Sequence, residues 1–188
     1  MNRHHPRGSL LLLGAGVCLL AGCASNVAQT PFEYAMAETF VLPASGSIRL
    51  TSEDARVSII GADREDVRIE ARYVLSAAPE QLKDFAYRLH VAEADGQLVV
   101  TEERHTGRQN FIYRQHVHDI TIEVPRNARV TIREEDGTCM IRGLSGPVHL
   151  TMDDGTIRLE NCSGNISVAM DNARLSQRDC ATVQLVRR

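Results

Sequence analysis

The sequence predicts an all-β fold, a β-solenoid with about 18 residues per coil and one short helix in the N-terminal half. Three observations lead there. Gly137, Gly146, Gly155 and Gly164 recur every nine residues, and Ala173 and Thr182 continue the spacing without glycine. The second and fourth residues after each glycine are mainly apolar: Cys139 and Ile141, Val148 and Leu150, Ile157 and Leu159, Ile166 and Val168. The corners alternate in kind, with Leu144-Ser145, Cys162-Ser163 and Cys180-Ala181 in one class and Glu135-Asp136, Asp153-Asp154 and Asp171-Asn172 in the other. Strict alternation puts one face of each short strand inward. Two corner classes make the true repeat two strands and two corners, wound so that coils stack about 4.8 Å apart.

The remaining elements follow in chain order. Arg3, His4, His5 and Arg7 precede an apolar run from Leu10 to Leu20, and Leu20-Ala21-Gly22-Cys23 matches a lipobox. The run is too short to cross a bilayer of roughly 30 Å, so residues 1–22 read as a lipoprotein signal peptide and Cys23 as the lipidated N-terminus. Diacyl and amide-linked chains on that residue give a stable membrane hold. Ala24 and Ser25 follow, with no Asp, a pattern that resembles lipoproteins destined for the outer membrane. Residues 23–38 read as the anchor and a polar tether, and 39–188 as a single domain.

Ser47–Thr51, Arg56–Ile60 and Val67–Val74 alternate β-branched and polar residues between Gly- and Asp-containing turns, which is the strand signal. Glu53-Asp54-Ala55 resembles Glu135-Asp136-Gly137, so the repeat begins there in degraded form. Leu82, Phe85, Ala86 and Leu89 fall at helical spacing behind Pro79, which predicts a short amphipathic helix over Ala78–Leu89. Asp95-Gly96 marks a hairpin ending in Gln97–Thr101, Glu102–Asn110 reads as a charged loop, and Phe111–Val124 is the longest strand candidate.

The leading strands, a helix-bearing middle, the Ile122-Glu123-Val124-Pro125 strand and the Gly-spaced strands together resemble a family of bacterial envelope proteins of unknown function, the "putative adhesin" family. The resemblance covers roughly residues 38–188 and lies in repeat rhythm. It implies a β-solenoid and brings no site residues with it.

Composition narrows the partners. Without residues 1–22 the chain carries 19 Lys+Arg against 24 Asp+Glu, a net charge of −5, which disfavours nucleic acid. Asp153 stacks on Asp171, and Asp136 on Asp154, one coil apart; a calcium rail is one reading of this column and turn chemistry the other. Cys162 and Cys180 also share a column within disulfide range, in a compartment that permits the bond, although parallel neighbours point their side chains the same way. Arg142, Glu160 and Arg178 form a ladder of alternating sign on the surface. His116 and His118 sit on one strand face near the rim of the apolar Ile120, Ile122 and Val124, with no third metal ligand at motif spacing.

No nucleophile elbow, metalloprotease helix, phosphate loop or dinucleotide fingerprint is present in the domain. The expectation is therefore a non-enzymatic lipoprotein without cofactor or bound metal. It is held to the bacterial outer membrane through Cys23, faces the periplasm and binds or scaffolds a protein partner in the envelope. The alternatives are a solenoid that binds or cleaves polysaccharide, for which the absence of Trp offers little stacking surface, and a calcium-stabilised structural module.

Overall fold

The computed structural model describes residues 28–107 and 111–187, so the predicted signal peptide and Cys23 lie outside the described residues. The N-terminal half contains β1 (Thr30–Val41), β2 (Ser47–Ser52), β3 (Arg56–Ala62), β4 (Asp66–Ala77), the single turn of α1 (Pro79–Leu82), β5 (Ala86–Ala94), β6 (Gln97–His105) and β7 (Tyr113–Pro125). The repeat then supplies β8 (Arg129–Glu134), β9 (Thr138–Arg142), β10 (Val148–Met152), β11 (Thr156–Glu160), β12 (Ile166–Met170), β13 (Arg174–Arg178) and β14 (Val183–Arg187).

Successive repeat strands alternate between two seven-stranded sheets. One runs in the order β1-β4-β7-β3-β9-β11-β13, the other β5-β6-β2-β8-β10-β12-β14. From β8 to β13 the parallel partners lie 18 residues apart, Val130 beside Val148 beside Ile166 and Thr138 beside Thr156 beside Arg174. This is a β-solenoid, and every inward residue of the predicted pattern is buried in one core shared by both sheets.

Two columns of corners make the period possible. Gly137 and Gly155 adopt φ of +119° and +112°, and a Cβ on Gly155 would lie 2.1 Å from the carbonyl oxygen of Gly137 one coil below. The opposite corners turn through Gly143, Asn161 and Asp179, with φ of +71°, +52° and +53°. Only Gly, Asn and Asp adopt that conformation readily, so these three positions are 18 apart for a steric reason.

The coil formed by β2 and β3 is separated from the repeat by sequence but not by space. It lies between β6–β7 on one side and β8–β9 on the other, with Arg56 beside Thr138 and Ser52 beside Glu134. The resemblance of Glu53-Asp54-Ala55 to Glu135-Asp136-Gly137 is thus a vertical stack, sealed by the Asp136 N–H donating to the Glu53 carbonyl at 2.6 Å.

Four expectations require correction. The polar tether does not extend to residue 38, because β1 begins at Thr30 and pairs along its length with β4, turning Phe32, Tyr34 and Met36 inward. The helix stops at Leu82; Tyr87 and Leu89 are buried at period two, and pairing of β5 with β6 overrides the helical spacing. The charged stretch after Thr101 continues β6 as far as His105, with Glu102 and Arg104 on the inward side of the alternation set by Leu98 and Val100. Finally, β14 pairs with β12 at a spacing of 17, Ile166 beside Val183. The missing residue keeps Val183 against the core where strict continuation would have placed Gln184.

Close stacking yields a quantitative expectation. Gly155→Ala should lower the unfolding free energy by at least about 2 kcal/mol, since the methyl meets backbone above an unfavourable φ. Gly96→Ala has a positive φ but open space around it and should lose about 1 kcal/mol. Urea denaturation of the two variants checks the difference.

Candidate functional site

The acidic corner between β2 and β3 lies where the first coil meets the N-terminal strands β6 and β7, and charged groups turn inward there. β7 carries His118 on its inward face, in line with Ile120, Ile122 and Val124. A bulge opposite Val74 and Leu75 makes His116 the extra residue: Val117 faces Val74 and Gln115 faces Leu75. The shift reverses the alternation, so His116 is exposed and bonded to Ser76 while His118 is buried. The two histidines therefore do not share a face, contrary to the strand reading.

Carboxylates flank the His118 ring on both sides. Its Nδ1 lies 2.9 Å from Asp54 Oδ1, and its Nε2 lies 3.4 Å from Glu102 Oε2 and 3.1 Å from the Tyr87 hydroxyl. Tyr73 and Tyr87 stack with ring centroids 4.1 Å apart and present their rings edge-on to the imidazole. Arg104 pairs with Glu53 and lies 3.5 Å from Asp54. Glu134 completes the group from β8: it accepts from the Ser52 hydroxyl and, at 2.9 Å, from the Ala55 N–H. A cleft of about 280 Å³ opens beside the cluster, lined by Asp54, Gln115, His116 and His118 among others.

This environment sets the protonation states. Burial alone would depress the His118 imidazole, but its hydrogen bonds to Asp54 and Glu102, with their charges, carry it up to about 9. The hydrogen bond to His118 holds the Asp54 carboxyl below its ordinary range. Burial pushes Glu134 up to about 7, against the hydrogen bonds from Ser52 and Ala55. The arrangement can clamp coils together, hold a cation, or relay a proton along Asp54, His118 and Tyr87.

The opposite end of the stack is open. Among the described residues, β13 and β14 are hydrogen-bonded on one side only, and Leu185 and Val186 are 55% and 51% exposed. At the β1 end the space between the sheets is instead plugged by Phe32, Tyr34, Tyr73, Phe85 and Tyr87.

The profile of one known family, described as Toastrack DUF4097, matches residues 46–184, from just before β2 to the first residues of β14. The chain belongs to that family. Among solved structures, similar ones are a "putative cell adhesion protein" from Clostridium sporogenes (13% identity, 76% of this chain and 73% of that chain covered, TM-score 0.41) and a "putative adhesin" from Parabacteroides merdae (9%, 86% and 97%, 0.23). A "putative lipid binding protein" from Parabacteroides distasonis is also similar (11%, 81% and 66%, 0.27). No curated protein matches.

Within the Toastrack domain the predicted columns form as spaced. Asp153 follows Met152, which lies beside Met170, and the Asn172 N–H donates to the Asp153 carbonyl at 2.8 Å. Yet among the described residues, no three of the carboxylates of Asp136, Asp153, Asp154 and Asp171 bring their oxygens within 4.8 Å of one another. Among the described residues, the ligating side chains whose donor atoms come within 4.8 Å of one another are Asp54, Glu102 and His118. Cys162 and Cys180 stack but are free thiols. Each donates to a backbone carbonyl, at 3.3 Å to Glu160 and 3.2 Å to Arg178, because parallel neighbours aim side by side. The Arg142, Glu160, Arg178 ladder is present, with Arg178 and Glu160 3.3 Å apart.

The sequence reading missed Glu53, Asp54, Glu102, Arg104 and Glu134 as site residues. A signal existed for Glu134, whose counterparts in the next two coils of the repeat are Met152 and Met170. An acid in a methionine column is out of place unless something holds it.

The pKa shifts imply that folding takes up protons. Glu134 stabilises the fold fully below its ordinary value near 4.5, and this contribution is lost as pH rises through about 7. The His118 contribution is complete below about 6.5 and is lost as pH rises through about 9. Asp54 acts oppositely, its contribution disappearing only as pH falls below about 3.8. In chelator, the unfolding free energy should therefore decline from pH 5 to pH 9, by a total on the order of a few kcal/mol, and the melting temperature should fall with it. His118→Gln should flatten the alkaline part and Glu134→Gln the acidic part; thermal melts across that range check both.

Proposed function

We propose that this Toastrack protein is a lipid-anchored envelope protein that binds a protein partner, without catalysis, by strand addition at its C-terminal edge. One observation carries the reading: β1 and β13 are the two ends of the same sheet. The anchor would attach at Cys23, seven residues before β1, a reach of at most roughly 25 Å. Six strand spacings separate β1 from β13, so the open edge would stand roughly 30 Å beyond the anchored strand. An edge with unpaired backbone groups and exposed Leu185 and Val186 suits main-chain pairing with an extended segment. An outer-membrane, periplasm-facing location fits the residues that follow Cys23.

Two measurements test the proposal. Labelled palmitate should enter the full-length chain and be lost entirely in Cys23→Ala; equal labelling of both would remove the anchor. A photocrosslinker at Gln184 should give a discrete adduct with an envelope protein in intact cells, abolished by Leu185→Lys. The same probe at Thr39, on the outer face of β1, should give no such adduct. Adducts that are absent, or insensitive to Leu185→Lys, would remove the edge as the binding surface.

A further inference from the structure

The cluster around His118 has more acid than its own cations balance, and the Glu102 carboxylate within it is buried. Glu53, Asp54 and Glu102 face one guanidinium, that of Arg104, leaving two negative charges when the imidazole is neutral. The Glu102 side chain is only 2% exposed, and its Oε1 is buried and accepts no hydrogen bond; Gln115 Oε1, beside the same histidine, is in the same condition. A buried carboxylate oxygen with no donor is costly unless something positive meets it. One donor atom each from Asp54, Glu102 and His118 already lies within 4.8 Å of the others. Bonds of about 2.0–2.2 Å around a tetrahedral ion place ligand atoms roughly 3.4 Å apart, so side-chain rotation of about an ångström would close the set. Glu102 Oε2 and His118 Nε2 are at that separation now, 3.4 Å.

We propose that Asp54, Glu102 and His118 form a binding site for a divalent transition metal of the zinc class. One imidazole nitrogen and two carboxylate oxygens suit such an ion, whereas calcium would need six or more oxygens. Its two charges equal the excess left by Glu53, Asp54, Glu102 and Arg104. The fourth position falls to water, which can enter from the cleft lined by Asp54, Gln115 and His118 or from the groove lined by Glu53, Tyr87, Glu102 and Arg104. The three ligands come from the β2–β3 corner, β6 and β7, so the ion would pin the first regular coil to the N-terminal strands. The site is independent of the partner-binding edge.

The test uses the full-length chain in detergent micelles, stripped with chelator and titrated with Zn²⁺ by calorimetry, with Co²⁺ as the optical probe. Wild type should bind one Zn²⁺ per chain and show the intense visible bands of four-coordinate Co²⁺. Glu102→Gln, nearly the same shape, should weaken Zn²⁺ at least roughly tenfold and lose the bands. His116→Gln should change neither. X-ray absorption of the zinc-loaded wild type, which needs no variant to fold, should show one imidazole and otherwise oxygen ligands. Absence of binding, affinity equal in wild type and Glu102→Gln, loss in His116→Gln, or sulfur neighbours from Cys162 and Cys180 would each overturn the proposal.

Discussion

Backbone stacked directly on backbone is the constraint from which the rest of this structure follows. At Gly146 and Gly164, as at Gly137 and Gly155, the neighbouring coil approaches so closely that a Cβ would fall 2.0–2.4 Å from a carbonyl oxygen. Such an approach lets each corner donate hydrogen bonds to the corner below, as the Ser163 N–H does to Leu144 and the Asp154 N–H to Glu135. Corners are normally where a chain's polar groups turn to water. Here they are satisfied in vertical columns, which lets five-residue strands suffice for a sheet.

Regular stacking also concentrates the irregular chemistry in one place. From β9 onward the buried interior is Val, Ile, Leu, Met and Cys. Where the first coil meets β4, β5, β6 and β7, the strands on the far side run antiparallel or carry a bulge, and the interior there changes from aliphatic to aromatic and charged. His118, Asp54, Glu102, Arg104 and Glu134 occupy that seam. A buried polar network is high-stakes, because each group depends on a partner supplied by another element. The seam is therefore both the place where the N-terminal strands are fixed to the solenoid and the place most suited to hold something else.

The two ends of the stack differ for the same reason. Long antiparallel strands and seven aromatic rings, with Phe111 and Tyr113 beside the five that plug it, finish the β1 end. At the other end Met170, Leu175, Cys180 and Val183 are half-covered. A solenoid needs terminal caps with a polar outer face to stay soluble, and β14 with its apolar Leu185 and Val186 is a weak one.

Much of this was written in the order of residues. The nine-residue glycine spacing, the inward pairs from Cys139 to Val168 and the two corner classes determine the solenoid, because a fixed period constrains every coil identically. The columns of Asp, Cys and alternating charge followed from the same arithmetic. Tertiary structure alone decided four things. It placed β2–β3 against β8–β9 across some 80 residues of intervening chain; it drew Thr30–Val41 into the sheet; it switched His118 inward at a bulge; and it shortened the final coil by one residue. It also assembled the charged seam, whose members come from a corner and three strands with no common spacing. Periodicity reports what each residue shares with its equivalents along the chain. It is silent about contacts between unlike elements, where long-range pairing and burial, rather than local pattern, set which side chains meet.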